Sequence, residues 1–323
     1  MTKWLNYTTF DIIGDLAFGE SFDCLKNKGY HSWVTFVYQG TKTTALVRPF
    51  LMMLPSFLVT LLVPSRIKQM RENLYFSSKA KVQNRLNRQT NRPDFWTYIL
   101  RHNDEKGMSV NEMEANAELL IAAGSETTAS LLSGWVYHLL TNPSVYKRLA
   151  DEIRGSFQND ESIDISSIGK LSYLHAVLEE SLRMYPPVPA MFPRKVPKGG
   201  AFINGQFVHE GTSVAVAFYS AFRATTNFTE PDSFLPERWL QESNNSNQRF
   251  ASDIKEVLQP FSYGPRNCLG KNLANAEMRL IATKLLWNFD MSLEDGSDNW
   301  EAQKSYNVWQ KKPLMVKLTP VQH

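Results

Sequence analysis

A mainly α fold carrying small β-sheets is what this sequence predicts, on three observations. From about Asn111 to Leu140 a single helical pattern persists, roughly 45 Å of helix at about 1.5 Å per residue. A second helical pattern, AVLEESLRMY, runs into Pro186-Pro187, and proline has no N–H with which to continue the ladder. After Tyr185 the chain turns to proline-rich loops and short alternating runs, AFINGQFV and TSVAVAFY, with a turn at Asn204-Gly205; this reads as hairpins beside a helical body.

Composition supports a large core. The 323 residues are 43% apolar and 12% aromatic, and no repeat or long linker divides them, so residues 1–323 read as a single domain. A formal net charge of +3, from 35 basic and 32 acidic residues, gives no argument for nucleic acid as a partner. Cys24 and Cys268 are the only cysteines, which excludes a disulfide scaffold and any C-x-x-C zinc or redox motif. A reducing compartment is the default.

At the N-terminus, Leu5, Thr9, Ile12, Ile13 and Leu16 recur at helical spacing, as in a core helix. The opening residues lack the basic start, apolar run and cleavage site of a secretory signal. Pro49 to Val63 is strongly apolar, but it falls short of the roughly 20 residues a spanning helix needs, and Pro55 interrupts it. Short buried helices, or a surface dipping into one leaflet as a peripheral membrane contact, both remain open there. Arg66 to Arg92 holds many basic residues with Glu72 as the single acid, and reads as a solvated helix face.

Three stretches carry candidate chemistry. In AAGSETTAS, Ala122, Ala123 and Gly124 are small enough for a flat group to approach the helix, and Glu126 and Thr127 supply an acid and a hydroxyl that could deliver protons. A helix crossing with a solvated Glu is the alternative. Glu180 and Arg183 are three apart and share a helix face, while Arg238 follows the Pro236-Glu237 corner; a Glu180, Arg183, Arg238 cluster would lock a loop to a helix if buried. In FSYGPRNCLG, a Gly264-Pro265 turn precedes Cys268, and a helix with Leu269, Leu273, Leu280, Ile281 and Leu285 follows. Free N–H groups at a helix start favour a thiolate, which is a nucleophile or a metal ligand. None of the chain's histidines stands in a recognised cysteine-enzyme context, and Arg266 offers a cation suited to carboxylates. A thiolate, a neighbouring cation and glycines suit a planar iron cofactor bearing carboxylates.

These residues resemble the cytochrome P-450 superfamily. Phe261, Gly264, Arg266, Cys268 and Gly270 match its F-x-x-G-x-R-x-C-x-G loop, AGSETT resembles the oxygen-activating stretch, Glu180 to Arg183 the E-x-x-R helix, and Pro236-Glu237-Arg238-Trp239 the P-E-R corner. All occur in the family's order, and the style is closest to fungal microsomal members of secondary metabolism. The resemblance implies haem b with Cys268 as axial thiolate, and Arg266 and Arg194 as holders of the propionates. Ala123 and Gly124 would lie against the haem, and Thr127 and Glu126 would relay protons. The implied reaction is a haem-dependent monooxygenation that inserts one atom of O2 into an apolar small molecule, with electrons from NADPH through cytochrome P-450 reductase at the cytosolic face of the endoplasmic reticulum membrane. Substrate contacts are expected near Leu119, Leu120 and Ala123, at Val188 to Phe192, and at Tyr306 to Trp309.

Ser220-Ala221-Phe222-Arg223 and His209-Glu210-Gly211-Thr212 depart from the family's usual A-x-H-R and P-x-G-T. The match covers the C-terminal two-thirds of the family's fold, so the membrane anchor, first strands and early helices are expected to be absent. A truncated, catalytically incompetent member is therefore the second reading of function.

Overall fold

The computed structural model describes residues 1–29, 45, 47, 53–54, 65–88, 92–101, 107–240 and 245–323. They form two compact units, Met1–Ser133 and Gly134–His323, with the division falling inside the long helix. The apolar segment Pro49 to Val63 lies outside the described residues except for Met53 and Leu54. Among the described residues, no helix is long and apolar enough to cross a membrane.

In the first unit, α1 (Thr2–Phe18) ends on Gly19 at φ 65°, a left-handed cap that glycine adopts without Cβ strain, with its N–H bonded to Asp15 O. Its buried stripe is Leu5, Asn6, Thr9, Phe10, Ile13, Gly14 and Ala17; Ile12 and Leu16, read from the sequence as core, are half-buried at the stripe's edge. The next helix, α2 (Cys24–Asn27), is capped from a distance, since the Asp11 carboxylate accepts the N–H groups of Cys24 and Leu25 at 2.9 Å each.

Helix α3 (Ser65–Asn87) departs from a simple solvated face. Arg85 is buried and donates to the Asp94 carboxylate ahead of α4 (Phe95–Arg101), through Nε and through Nη2 at 2.9 Å, and also to Thr97 Oγ1 at 2.9 Å. Arg88 pairs with Glu20 at 2.5 Å, and Arg92 donates to Asp15 at 2.6 Å. The basic run therefore stitches α1 to the α3–α4 turn. Part of its charge is spent inside the protein.

The long helix is α5 (Val110–Leu140). A capping box starts it: Glu112 Oε2 accepts the Ser109 N–H at 2.8 Å while Ser109 Oγ accepts the Glu112 N–H at 3.3 Å, which satisfies two otherwise orphaned donors. Gly124 lies against Ile13 of α1, where an added Cβ would come within 2.8 Å of Ile13 Cδ1. The small residue expected to admit a flat group is therefore taken up by a helix crossing.

In the second unit, α6 (Pro143–Ser156), α8 (Ser172–Met184) and α10 (Lys271–Asn288) pack on one another, with the short α7 (Ile165–Ile168) against α10. Glu152 of α6 accepts the N–H groups of Tyr173 and Leu174 at 2.8 Å each, capping α8, whose own N-cap residue supplies no side-chain acceptor. The core face of α10 is Met278, Ala282 and Leu286, spaced four apart. Leu273, Leu280, Ile281 and Leu285 are half-buried, and Leu269 precedes the helix, so the stripe read from the sequence is rotated from the true core.

Small antiparallel pairs complete the unit. Strands β1 (Arg194–Lys195) and β4 (Ser213–Val214) pair, as do β2 (Ala201–Ile203) and β3 (Gln206–Val208) around Asn204 and Gly205, both at positive φ. Two positive φ angles are what a tight two-residue hairpin turn demands. The alternating run TSVAVAFY stays extended only at its start; α9 (Phe218–Phe222) takes its end, because Phe218 and Phe222 stack four residues apart, ring centroids 5.6 Å apart. Phe222 then joins Phe228 and Leu258 in a buried cluster. Strands β5 (Phe289–Leu293) and β8 (Val316–Pro320) form the longest pair, and β6 (Ser305–Tyr306) and β7 (Val308–Trp309) a short hairpin.

Candidate active site

The cysteine loop is an extended turn held by its own backbone. Gly264 has φ 80°, which a β-carbon would strain, and opens the single 3-10 turn Gly264–Arg266, whose second residue is Pro265. The Cys268 N–H donates to Phe261 O at 2.8 Å, closing the loop, and Ala274 N donates to Gly270 O at 2.8 Å as α10 begins. Lys271 Nζ stands 5.9 Å from the centroid of the Phe261 ring.

Two features of the loop fit a planar iron group bearing carboxylates. Cys268 is a free, exposed thiol, and Leu269 beside it is 93% exposed, an uncovered apolar surface where a helix starts. At Gly270 (φ −82°), a Cβ would meet only Cys268 Sγ at 3.9 Å, so neither backbone strain nor crowding by the protein requires glycine there. Arg266 is exposed and makes no ion pair among the described residues. Arg194, at the edge of β1, donates to the carbonyls of Phe192 and Pro193 at 3.5 and 3.2 Å and engages no carboxylate among the described residues. A soft thiolate donor with two available guanidiniums is a donor set suited to haem.

The second unit also holds a buried charge cluster. Glu180, Arg183 and Arg238 are each 0% exposed. Arg183 donates to both Glu180 oxygens, at 2.9 and 2.8 Å, and Arg238 Nε to Oε1 at 3.1 Å. The Glu180 carboxylate also accepts Leu235 N at 2.8 Å and the Trp239 indole N–H at 2.9 Å. The remaining Arg183 donors reach Phe222 O, Pro231 O and Ser233 O at 3.0, 2.6 and 2.9 Å. A buried ion pair is tolerable only with such additional partners. Here α8 is bound to the loop that carries the Pro236–Trp239 3-10 turn.

On α5, Thr127 Oγ1 donates to Ala123 O at 2.7 Å, and Ser130 Oγ donates to Glu126 Oε1 at 3.0 Å. Leu119, Ala123 and Thr127, spaced four apart, lie along one side of the helix; Leu119 and Ala123 are exposed, Thr127 and the adjacent Leu120 half-buried. Glu126 itself is buried. Of the expected substrate contacts, Met191 and Phe192 are exposed, whereas Trp309 is core: its ring stacks on Tyr185 with centroids 4.8 Å apart, and its N–H donates to Pro186 O at 2.7 Å. Trp309 is thereby occupied as a packing residue.

Sequence reasoning missed Asp253, His138 and the partner of Trp239. Asp253 pairs with Arg238, and no spacing rule connects them. The Trp239 N–H was within the quoted P-E-R-W motif, yet its target is visible only in three dimensions. His138 is 4% exposed, stacked on Phe234 at 5.2 Å, and burial, then the charges of Arg223 and Arg183, push its pKa down to about 3. It lines a surface depression of about 430 Å³ with Tyr137, Asp232 and Glu301.

Comparison with known proteins accords with this architecture. A family model described as cytochrome P450 matches residues 1–318. Over 322 residues the chain is 50% identical to cytochrome P450 monooxygenase astJ of Aspergillus oryzae, covering 99% of this chain and 64% of that protein. It is 43% identical over 325 residues to averantin hydroxylase of Dothistroma septosporum, covering 99% of this chain and 61% of that one. The fold is similar to the crystal structure of the cytochrome P450DA heme domain, with a TM-score of 0.81 at 18% identity, over 99% of this chain and 68% of the other. The chain thus spans less than two-thirds of the length of the two fungal relatives. A family model matched nearly from end to end, with relatives at this identity along the same residues, places the protein in the cytochrome P450 family.

Proposed function

We propose that the protein is a haem-thiolate monooxygenase acting on an apolar small molecule of secondary metabolism. The observation that carries the reading is Cys268, a free and exposed thiol in the F-x-x-G-x-R-x-C-x-G loop, with the exposed Arg266, which has no ion pair among the described residues, two residues before it. Haem b, when bound, supplies the activation of O2. Each remaining part of the chemistry falls to residues of this chain.

Cys268 Sγ is the iron ligand in this reading, and its loop geometry is kept by the Cys268 N–H to Phe261 O bond. Arg266 and Arg194 hold the propionates as charge-assisted partners. Thr127 Oγ1 already donates its proton to Ala123 O, so its lone pairs are free to accept a proton in transit. The Glu126 carboxylate, held by Ser130, is the nearby acid. Leu119 and Ala123 offer apolar surface to the substrate. The two fungal relatives are named as a monooxygenase and a hydroxylase, which supports the same class here, with NADPH-derived electrons delivered by a reductase at the cytosolic face of the endoplasmic reticulum membrane.

The decisive measurement is the spectrum of the haem-loaded, reduced protein with carbon monoxide. A thiolate-type Soret band that disappears in Cys268→Ala is the expected result. Haem bound with no thiolate signature in the native chain, or a band that survives Cys268→Ala, overturns the assignment of Cys268. Failure to bind haem at all defeats the enzyme reading for this chain.

A further inference from the structure

The Glu180, Arg183, Arg238 cluster does not balance its own charge. It holds two guanidiniums and one carboxylate, all without solvent contact. A net positive charge with no access to water is expensive, because burial penalises the charged form and nothing screens it. The missing negative charge is Asp253, whose side chain is 0% exposed although its backbone lies nearer the surface. Asp253 Oδ2 accepts from Arg238 Nη1, and Oδ1 accepts the Thr229 backbone N–H at 2.6 Å. Arg238 therefore has two faces: Nε binds Glu180 of α8, and Nη1 binds Asp253.

What Asp253 is attached to gives this contact its meaning. Ile254 N, the next residue, donates to Asn227 O at 2.8 Å, so this stretch is tied to the 227–230 loop twice over. From there the chain makes the Lys255–Val257 3-10 turn and seats Leu258 in the cluster with Phe222 and Phe228. It then runs directly into Phe261, whose carbonyl accepts the Cys268 N–H. Only residues 255–260 separate this double anchor from Phe261, whose carbonyl fixes the cysteine.

We propose that Asp253 is a positioning residue for Cys268: its carboxylate turns the buried Arg238 into a clamp between α8 and the segment that presents the thiol. The proposal rests on the haem-thiolate reading for its functional consequence, but the clamp itself is a property of the chain alone. Among the described residues, the hydrogen bonds and ion pair of the Asp253 carboxylate go to Arg238 and Thr229, not to Cys268 or the expected substrate residues. Its effect passes through Arg238 and the 251–261 segment.

The test uses the full chain with Asp253→Asn, which keeps the size of the side chain and an acceptor for Thr229 N but removes the charge. Amide hydrogen exchange followed by mass spectrometry, without haem, is expected to show peptides from 251–270 exchanging roughly ten- to a hundredfold faster, as loss of a charged hydrogen bond implies. Peptides from α8 and α6 should be unchanged. In haem-loaded protein, the same variant is expected to convert part of the thiolate-type carbon monoxide band to a shorter-wavelength, non-thiolate form. Asp253→Glu, which restores the charge but carries one methylene too many for the site, should recover only part of the thiolate band and leave exchange at 251–270 between the native and Asp253→Asn rates.

Unchanged exchange at 251–270 overturns the proposal, and so does faster exchange spread equally over α6, α8 and 251–270, which would make Asp253 a general stabiliser. If Asp253→Asn does not fold, Asp253→Glu is measured in its place. Its added methylene then has to loosen 251–270 selectively, and native exchange or loss everywhere again overturns the clamp. Absence of a thiolate band in the native protein would remove the haem reading while leaving the exchange result to decide the clamp.

Discussion

At the scale of single residues, burial decides chemistry that residue type alone leaves open. His138 sits 3.5 Å from Glu301 Oε2, a neighbour that favours the protonated ring. Burial outweighs it, and the Arg223 and Arg183 charges add to the effect, so the ring stays neutral in the folded chain down to about pH 3. The unfolded chain takes up that proton near the ordinary value of 6.5. His138 thus contributes stability that is complete above pH 6.5 and is lost as the pH falls toward about 3. Replacing it with Phe, which keeps the stack on Phe234, is expected to flatten the pH dependence of the urea midpoint across this window. Parallel curves for the two proteins would refute the assignment.

Gly134 makes a second point at the same scale. An added Cβ would lie 2.4 Å from Tyr185 Cδ1, and Tyr185 is wedged among Trp300 and Trp309, at centroid separations of 5.2 and 4.8 Å. Gly134→Ala favours helix by propensity but overpacks this aromatic group. Thermal unfolding should show a net loss of about 1–3 kcal/mol; a stabilised variant would mean that the Tyr185 ring yields freely.

At the scale of elements, the joint between α3 and α4 depends on one ion pair. Burial alone would raise the Asp94 carboxyl; the hydrogen bonds from Arg85 and Thr97 outweigh it and hold the group below its ordinary 3.8. A depressed carboxyl contributes stability that is present above the ordinary value and lost as the pH falls through the folded one. Asp94→Asn should therefore be clearly less stable than the native chain at about pH 6, with the gap narrowing only as the pH falls below 3.8 and through the lowered value of the folded carboxyl. Denaturant titration at several pH values measures it. A gap that stays constant with pH would mean the pair contributes through shape alone.

At the scale of the whole molecule, the Glu180 cluster holds α8, the Pro236–Trp239 turn and, through Asp253, the approach to Cys268. Glu180→Gln leaves two buried guanidiniums facing one carboxylate. Breaking a buried pair in this way costs about 3–5 kcal/mol, so the variant should unfold at much lower urea concentration and retain haem poorly; native-like unfolding would remove the cluster from the centre of the fold.

The sequence by itself determined what is local. The order and spacing of the motifs around Thr127, Glu180, Arg238 and Cys268 identify the family, the Asn204-Gly205 turn sets its hairpin, and Gly264-Pro265 marks the turn before Cys268. Each depends on a few consecutive residues. The tertiary structure alone decided which of them meet. Gly124 was small for the sake of Ile13, Trp309 was drawn into the core by Tyr185, and Arg85 left the solvated face to find Asp94. Asp253 became the counter-charge of a cluster whose other members lie up to 73 residues before it in the sequence. The physical reason is common to all of these: desolvation and close packing act on whatever neighbours folding supplies, and the spacing of residues along a chain does not record them.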